Sequence, residues 1–283
     1  MNRHRRYVKG VAFGNLGFCT SYAIDHQGKG PEWVEVVEVD LHLPNLPESF
    51  QGKRLIQVSD LHCSRTVSVK YLTRCVQRVN SLDPDFVLLT GDYVTHDLRG
   101  KYRERIVNLV ADIESRYGIY ACLGNHDYGI GSVLGSWNNE LLFDLIDGLQ
   151  AKGINLLRNR AEEIEIDGKN LWFVGLGDVW VKDFDPDRAF AKVPADQPSI
   201  ALLHNPDGFR HMAAYPAHTI LSGHTHGVQT TFADVRGLRI TTRPYHAGMY
   251  RSANKSLYVN RGLGRLGSFF LNSRPEITVF TLR

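Results

Sequence analysis

The 283-residue sequence predicts an α/β protein, and three observations carry the prediction. Short apolar runs such as Phe86-Val-Leu-Leu-Thr90 show no alternation of apolar and polar positions, so they read as strands buried on both faces. Stretches of helical spacing separate the first of these runs, which makes them β-α-β units. The runs also end alike, in Asp, Asn or His, at the place where open α/β sheets bind their ligands.

A chain of this length buries a sizeable core, and one large domain over residues 31–283 is favoured, behind a separate segment at residues 1–30. The net charge is +3, and Lys and Arg are scattered with no basic block beyond the first ten residues, which argues against a nucleic-acid groove. Cys19, Cys63, Cys75 and Cys122 show no CxxC spacing and read as free, largely buried thiols.

Arg3, Arg5, Arg6 and Lys9 precede an apolar stretch at residues 8–24 that is broken by Gly10, Gly14, Asn15 and Gly17. This is too short and too weak for a transmembrane helix. It has the order of a targeting segment, and Arg5-Arg6-Tyr7-Val8-Lys9-Gly10 resembles a twin-arginine export signal, although no small-x-small cleavage site follows. Two readings stay open: a membrane-associated or exported protein, and a cytoplasmic enzyme with a frayed basic tail. Residues 33–43 turn to period two and read as a half-buried strand at a sheet edge.

Residues 54–58 form the next apolar run and lead into Asp60 and His62, which point to one side of an extended segment and can reach one cation together. Residues 69–79 have helical spacing and return the chain to the Phe86 strand, which ends in Gly91-Asp92. A helix at residues 102–115 leads to a third strand, ended by Gly124-Asn125-His126-Asp127. Residues 137–151 read as an amphipathic helix that stops at Lys152-Gly153.

Strands follow at residues 154–157, 163–166 and 171–175, the last two joined by the hairpin signal Asp167-Gly168. Asp178 reads as part of an exposed turn, with the border of a pocket as the alternative. Pro194 and Pro198 mark a surface connection, and no inserted helical lid is evident. Residues 199–203 end in His204, residues 217–222 lead to Gly223-His224-Thr225-His226, and residues 277–282 read as a final strand of the second sheet.

Asp60, His62, Asp92, Asn125, His126, His204, His224 and His226 thus stand at five successive strand ends. Nitrogen and oxygen donors without cysteine suit Mn, Fe, Zn, Ni or Co. So many such groups exceed the needs of one tetrahedral ion and suit a pair bridged by a carboxylate, about 3.5 to 4 Å apart. Cys63 beside His62 reads first as a packing residue and second as a contact behind the ligands.

These residues resemble the calcineurin-like metallophosphoesterases: Asp60-x-His62, Gly91-Asp92, Gly124-Asn125-His126-Asp127, His204 and Gly223-His224-x-His226 match the five motifs of that family in order. The resemblance implies a four-layer α/β/β/α sandwich of two mixed sheets. It implies two divalent ions, manganese first, one held by Asp60, His62, Asp92 and His226 and the other by Asp92, Asn125, His204 and His224. His126 would then sit over the substrate and serve the leaving oxygen, with Asp127 as an orienting partner.

The sequence departs from the Ser/Thr protein phosphatases after Gly91-Asp92-Tyr93-Val94, where Asp and Arg are replaced by Thr95 and His96. It is similar instead to bacterial phosphodiesterases with an N-terminal twin-arginine or membrane segment, a branch that includes UDP-2,3-diacylglucosamine hydrolases of lipid A synthesis. His204-Asn-Pro-Asp207, the stretch from Leu257 through Arg261-Gly262 to Gly264, and Arg274-Pro-Glu276 are shared with it. Arg261, Arg251 and His96 are the candidate contacts to substrate phosphate, although surface arginines would look the same. The function implied is hydrolysis of a phosphodiester or pyrophosphate, with a lipid-linked nucleotide as first candidate substrate. A more general soluble or exported phosphodiesterase or phosphomonoesterase is the alternative. A binding module with a decayed site is the alternative of another class, disfavoured because no ligand position is lost.

Overall fold

The computed structural model describes residues 33–95, 97, 100–129, 139–227, 230–232, 240–264 and 273–283. The expected targeting segment, Cys19 and His96 lie outside the described residues. The first half contributes β1 (Glu35–Leu41), β2 (Arg54–Val58), α1 (Val69–Asn80), β3 (Phe86–Thr90), α2 (Lys101–Val110), β4 (Ile119–Cys122), α3 (Asn139–Ala151) and β5 (Asn155–Leu156). The second contributes β6 (Arg160–Ile166), β7 (Lys169–Gly175), α4 (Pro186–Phe190), β8 (Ser199–Leu202), β9 (Thr219–Ser222), β10 (Thr230–Phe232), β11 (Ile240–Thr242), β12 (Gly248–Ser252), β13 (Lys255–Val259) and β14 (Glu276–Leu282).

Two six-stranded mixed sheets result, in the orders β1-β14-β2-β3-β4-β5 and β12-β13-β9-β8-β7-β6, beside a two-stranded ribbon of β10 and β11. Successive side chains of a strand face opposite sides, and the lack of alternation in the apolar runs is explained by what lies on each side. Phe86 and Leu88 pack between the sheets with Phe173, Ile200, Leu202 and Phe280, whereas Val87 and Leu89 pack outward against the α1–α3 layer. In β8, Ile200 and Leu202 face the first sheet, while Ala201 joins Phe190, Phe209 and Met212 in the outer layer. The architecture is the four-layer α/β/β/α sandwich.

Local signals set several boundaries. Ser68 caps α1, its hydroxyl accepting from the Tyr71 amide at 3.2 Å, and Tyr71, Leu72, Cys75, Val76 and Val79 form the buried face. Asp167 and Gly168 both have positive φ, 53° and 69°, which is the turn whose twist matches a two-residue hairpin between β6 and β7. Helix α2 stops at Val110, short of the expected residue 115.

The final strand differs from the sequence expectation. β14 belongs to the first sheet, parallel to β1 and antiparallel to β2. Ile277 and Val279 face the helices and Phe280 and Leu282 face the second sheet, so its pattern states burial on both sides without naming the partner. A buried polar network across the layers accompanies this placement: Tyr258 of β13 donates to Glu276 of β14 at 2.6 Å, and Asn260 donates to Thr278 at 2.8 Å. Among the described residues, no helix is long and apolar enough to cross a membrane. Cys63, Cys75 and Cys122 are free and buried, in agreement with a fold that needs no disulfide among them.

Candidate metal centre

The two sheets meet at their strand ends, and there the backbone leaves the strand conformation abruptly. Asp60, His62, Asp92, His224 and His226 all have positive φ, between 48° and 70°. For residues with a β-carbon this costs on the order of 1–3 kcal/mol each and persists only where surroundings enforce it. Pairing beyond the strands provides the enforcement: the Asp60 amide donates to the Gly91 carbonyl and the His62 amide to the Asp92 carbonyl, both at 2.9 Å. Glycines permit the close approach. A β-carbon on Gly124 would lie 2.2 Å from an Asp92 carboxylate oxygen, and one on Gly223 would lie 2.2 Å from an Asp60 oxygen.

The Asp60 carboxylate accepts the His224 amide at 3.0 Å, joining a strand end of the first sheet to one of the second. Gln57 does the same one layer below, donating to Thr90 and to the Ser222 carbonyl at 3.0 Å each. Side chains then converge in overlapping groups: Asp60, His62 and His226; His62, Asp92 and His126; and Asp92, His204 and His224. His62 Nε2 lies 3.1 Å from His226 Nε2 and 3.4 Å from Asp92 Oδ2, while His204 Nε2 lies 3.2 Å from the same oxygen. Asn125 Oδ1 is 3.0 Å from His224 Nδ1.

These spacings test the fit of a metal. Imidazole and carboxylate ligands sit about 2.0 to 2.2 Å from a zinc-like cation, so neighbouring ligand atoms at right angles lie about 3 Å apart. The observed separations match. Moreover, Nε2 of His204 and of His224 is buried without a hydrogen bond, an arrangement that costs free energy unless a cation completes it. His204 Nδ1 faces the Thr90 carbonyl at 2.7 Å, which places its proton there and turns the Nε2 lone pair inward.

The ionisation states of Asp60, Asp92, His224 and His226 suit ligands. At His204, by contrast, burial is outweighed by the Asp92 and Asp60 carboxylates, which hold the imidazole well above its usual value, so a cation bound there would displace a proton. Burial pushes the Asp60 and Asp92 carboxyls up, but the surrounding histidines outweigh it and hold both below the usual carboxylate range. Burial holds His224 well below the usual imidazole value and His226 down to about 4, so both are neutral and able to ligate. Burial pushes the Cys63 thiol up to about 11, which keeps it from acting as a thiolate, and it packs in the helix-side core.

Other expected residues fall differently. His126, which converges with His62 and Asp92, is 8% exposed, and its Nδ1 rests 2.8 Å from the Thr95 carbonyl, so the backbone at Thr95 orients it. Asp127 accepts from the amides of Asp92, Tyr93 and Gly124 at 2.8–2.9 Å, clamping two ligand loops together. Arg261 is engaged by Glu35 at 2.8 Å and by Glu276. Arg251 is exposed and in register with Ser256, whose own partner is Thr219 at the start of β9, whereas the ligands follow Ser222 at its other end. The structure therefore does not bring Arg251 to the centre.

Asp178 corrects the expected exposed turn: it is fully buried, accepts the Trp180 amide at 2.8 Å, and burial pushes its carboxyl up to about 6. Its Gly-Asp pair after a buried strand repeats the pattern of Gly91-Asp92, which was the available signal. Trp180 was not singled out in the sequence; its half-buried ring meets His224 edge-on with centroids 4.4 Å apart.

The family model for calcineurin-like phosphoesterases matches residues 53–228, a span that holds every residue of the cluster. The chain belongs to that family. It is accordingly a metal-dependent hydrolase of phosphoric esters. Similar proteins include the UDP-2,3-diacylglucosamine pyrophosphatase LpxG of Chlamydia trachomatis, 29% identical over 87% of this chain and 88% of that protein. The uncharacterized metallophosphoesterase YkuE of Bacillus subtilis is 30% identical over 99% of this chain and 97% of that protein. The phosphodiesterase YaeI of Escherichia coli is 28% identical over the full length of both.

Proposed function

We propose that the chain is a dinuclear phosphohydrolase that cleaves a phosphodiester or pyrophosphate bond, with a lipid-linked uridine diphosphate sugar of the UDP-2,3-diacylglucosamine type as its substrate. The observation that carries this reading is the position of Asp92, whose Oδ2 faces His62 at 3.4 Å and His204 at 3.2 Å and so serves both ligand groups. Two divalent cations, manganese first, would supply an activated water and neutralise the phosphoryl oxygens when bound. Asp60, His62, Asp92 and His226 would hold one, and Asp92, Asn125, His204 and His224 the other.

The protein's own part is positioning and proton movement. His126, oriented through Nδ1 by the Thr95 carbonyl, delivers a proton to the leaving oxygen. Asp127 holds the Asp92 and Gly124 loops at fixed separation, so the two ligand groups keep their spacing. Support for the lipid-linked substrate comes from the similarity to LpxG along most of both chains. The likeness to YaeI supports a broader phosphodiesterase as the second reading.

Chelation followed by readdition of Mn²⁺ tests the proposal. Hydrolysis of bis-p-nitrophenyl phosphate should vanish and return, and UDP-2,3-diacylglucosamine should be cleaved by the restored protein. Recovery on the small diester alone leaves the broader phosphodiesterase. No recovery with Mn, Fe, Zn, Ni or Co leaves a binding module.

A further inference from the structure

Three arginines of the second sheet and the two-stranded ribbon, Arg243, Arg251 and Arg261, are candidate anion-binding groups, and their surroundings separate them. Arg261 is paired with Glu35 and Glu276, and Arg251 stands at the far end of its strand pair. Arg243, which follows β11 directly, is half-buried and makes no hydrogen bond or ion pair among the described residues. The segment after it is anchored against the centre: Thr225, between His224 and His226, donates to the His246 carbonyl at 2.6 Å, and the His246 amide donates to the Tyr250 hydroxyl at 3.0 Å.

The charge of Arg243 reaches His224 on one side of the centre and is drawn by Asp60 and Asp207. A guanidinium is always cationic and carries no lone pair for a metal, so Arg243 is not a ligand but a fixed positive charge beside the ligands. A guanidinium partly withdrawn from water, with no carboxylate in ion-pair contact among the described residues, is favoured when an anion completes it, and its fork of donors suits phosphate oxygens.

We infer that Arg243 grips a second anionic group of the substrate, a phosphate adjacent to the phosphoryl group bound at the metal centre, so that the site prefers diphosphates to single phosphates. The inference rests on the proposed hydrolase function and assigns the diphosphate preference to one residue. Cations held by the Asp and His ligands would neutralise the reacting phosphoryl group, and the guanidinium of Arg243 beside them is left to meet the charge of the neighbouring one.

Calorimetry on the Mn²⁺-loaded full chain tests this without using turnover. The probes are UMP and the methylene-bridged analogue of UDP, each titrated into the native protein, Arg243→Ala and Arg243→Lys, with metal content measured in all three. Arg243→Ala should weaken the diphosphate about tenfold or more beyond any change for UMP, because a charge-assisted contact is lost. Arg243→Lys should recover part of the loss, since it keeps the charge and not the fork. Equal changes for the two nucleotides, no change, or loss of metal from both variants would overturn the inference. Failure of the native protein to hydrolyse bis-p-nitrophenyl phosphate with any metal would count against the hydrolase reading instead, and the calorimetric comparison stands apart from it.

Discussion

His62 and His226, 164 residues apart in sequence, bring their Nε2 atoms to 3.1 Å at the junction of the two sheets. Two imidazole nitrogens at that distance, with Asp60 Oδ1 3.7 Å from one and 3.4 Å from the other, are spaced as the ligands of one cation would be. Cation binding should therefore stabilise the fold. A free Mn²⁺ concentration one hundred times the dissociation constant adds about 2.7 kcal/mol, which a thermal melt with and without chelator would register. Identical melting temperatures would count against a structured metal site.

Asp92→Asn should reduce the bound metal to one ion or none. The substitution removes the negative charge that both ligand groups share, and two dications at such a separation repel strongly without it. Elemental analysis of the purified variant gives the answer, and two tightly held ions would refute the dinuclear assignment.

His126→Ala should leave metal content intact and lower turnover ~10²-fold or more, as expected for loss of a positioned proton donor. The loss should shrink for substrates with good leaving groups, which need little protonation. A variant that loses metal instead would make His126 a ligand.

Asp178 gives a pH dependence whose sign follows from burial. Its folded carboxyl is raised to about 6 from 3.8, so the folded state keeps a proton that the unfolded chain releases. The stability it contributes is full below about pH 3.8, declines as pH rises, and is lost above about pH 6, by at most about 3 kcal/mol. Asp178→Asn does not titrate. In chelated protein its stability relative to native should therefore rise between pH 4 and pH 6, read as the difference in denaturant midpoint. A difference independent of pH would show that Asp178 does not hold that proton.

A chain beginning near Pro31 should differ from the full chain at membranes. Clustered Lys and Arg add about 1 kcal/mol each at an anionic surface, and residues 1–30 contain Arg3, Arg5, Arg6 and Lys9. Co-sedimentation with anionic liposomes and hydrolysis of UDP-2,3-diacylglucosamine should both fall on truncation, while a small soluble diester is cleaved as before. Equal sedimentation would leave a soluble enzyme.

What was legible in the sequence was local. A buried strand followed by a polar residue declares both its own burial and the exit of its chain, so β2, β3, β4, β8 and β9 and the cluster at their ends could be read without knowing sheet order. What depended on a distant partner was not legible. The sheet that receives β14 is decided by pairing, and the pairing of Arg261 with Glu35 spans 226 residues. Burial of Asp178 depends on the packing around β7, and the orientation of His126 comes from a backbone carbonyl at Thr95, which no side-chain pattern announces.

The place of β14 between β1 and β2 has a consequence for biosynthesis. β1 pairs with no other strand of its sheet, and its partner leaves the ribosome about 240 residues later. Through most of translation the β1 strand therefore has no docking surface, and the first sheet cannot close around the His62 loop until β14 emerges. Until then, whatever precedes β1 is joined to a strand that has not yet docked, and the order of events is set by the last strand of the chain rather than the first.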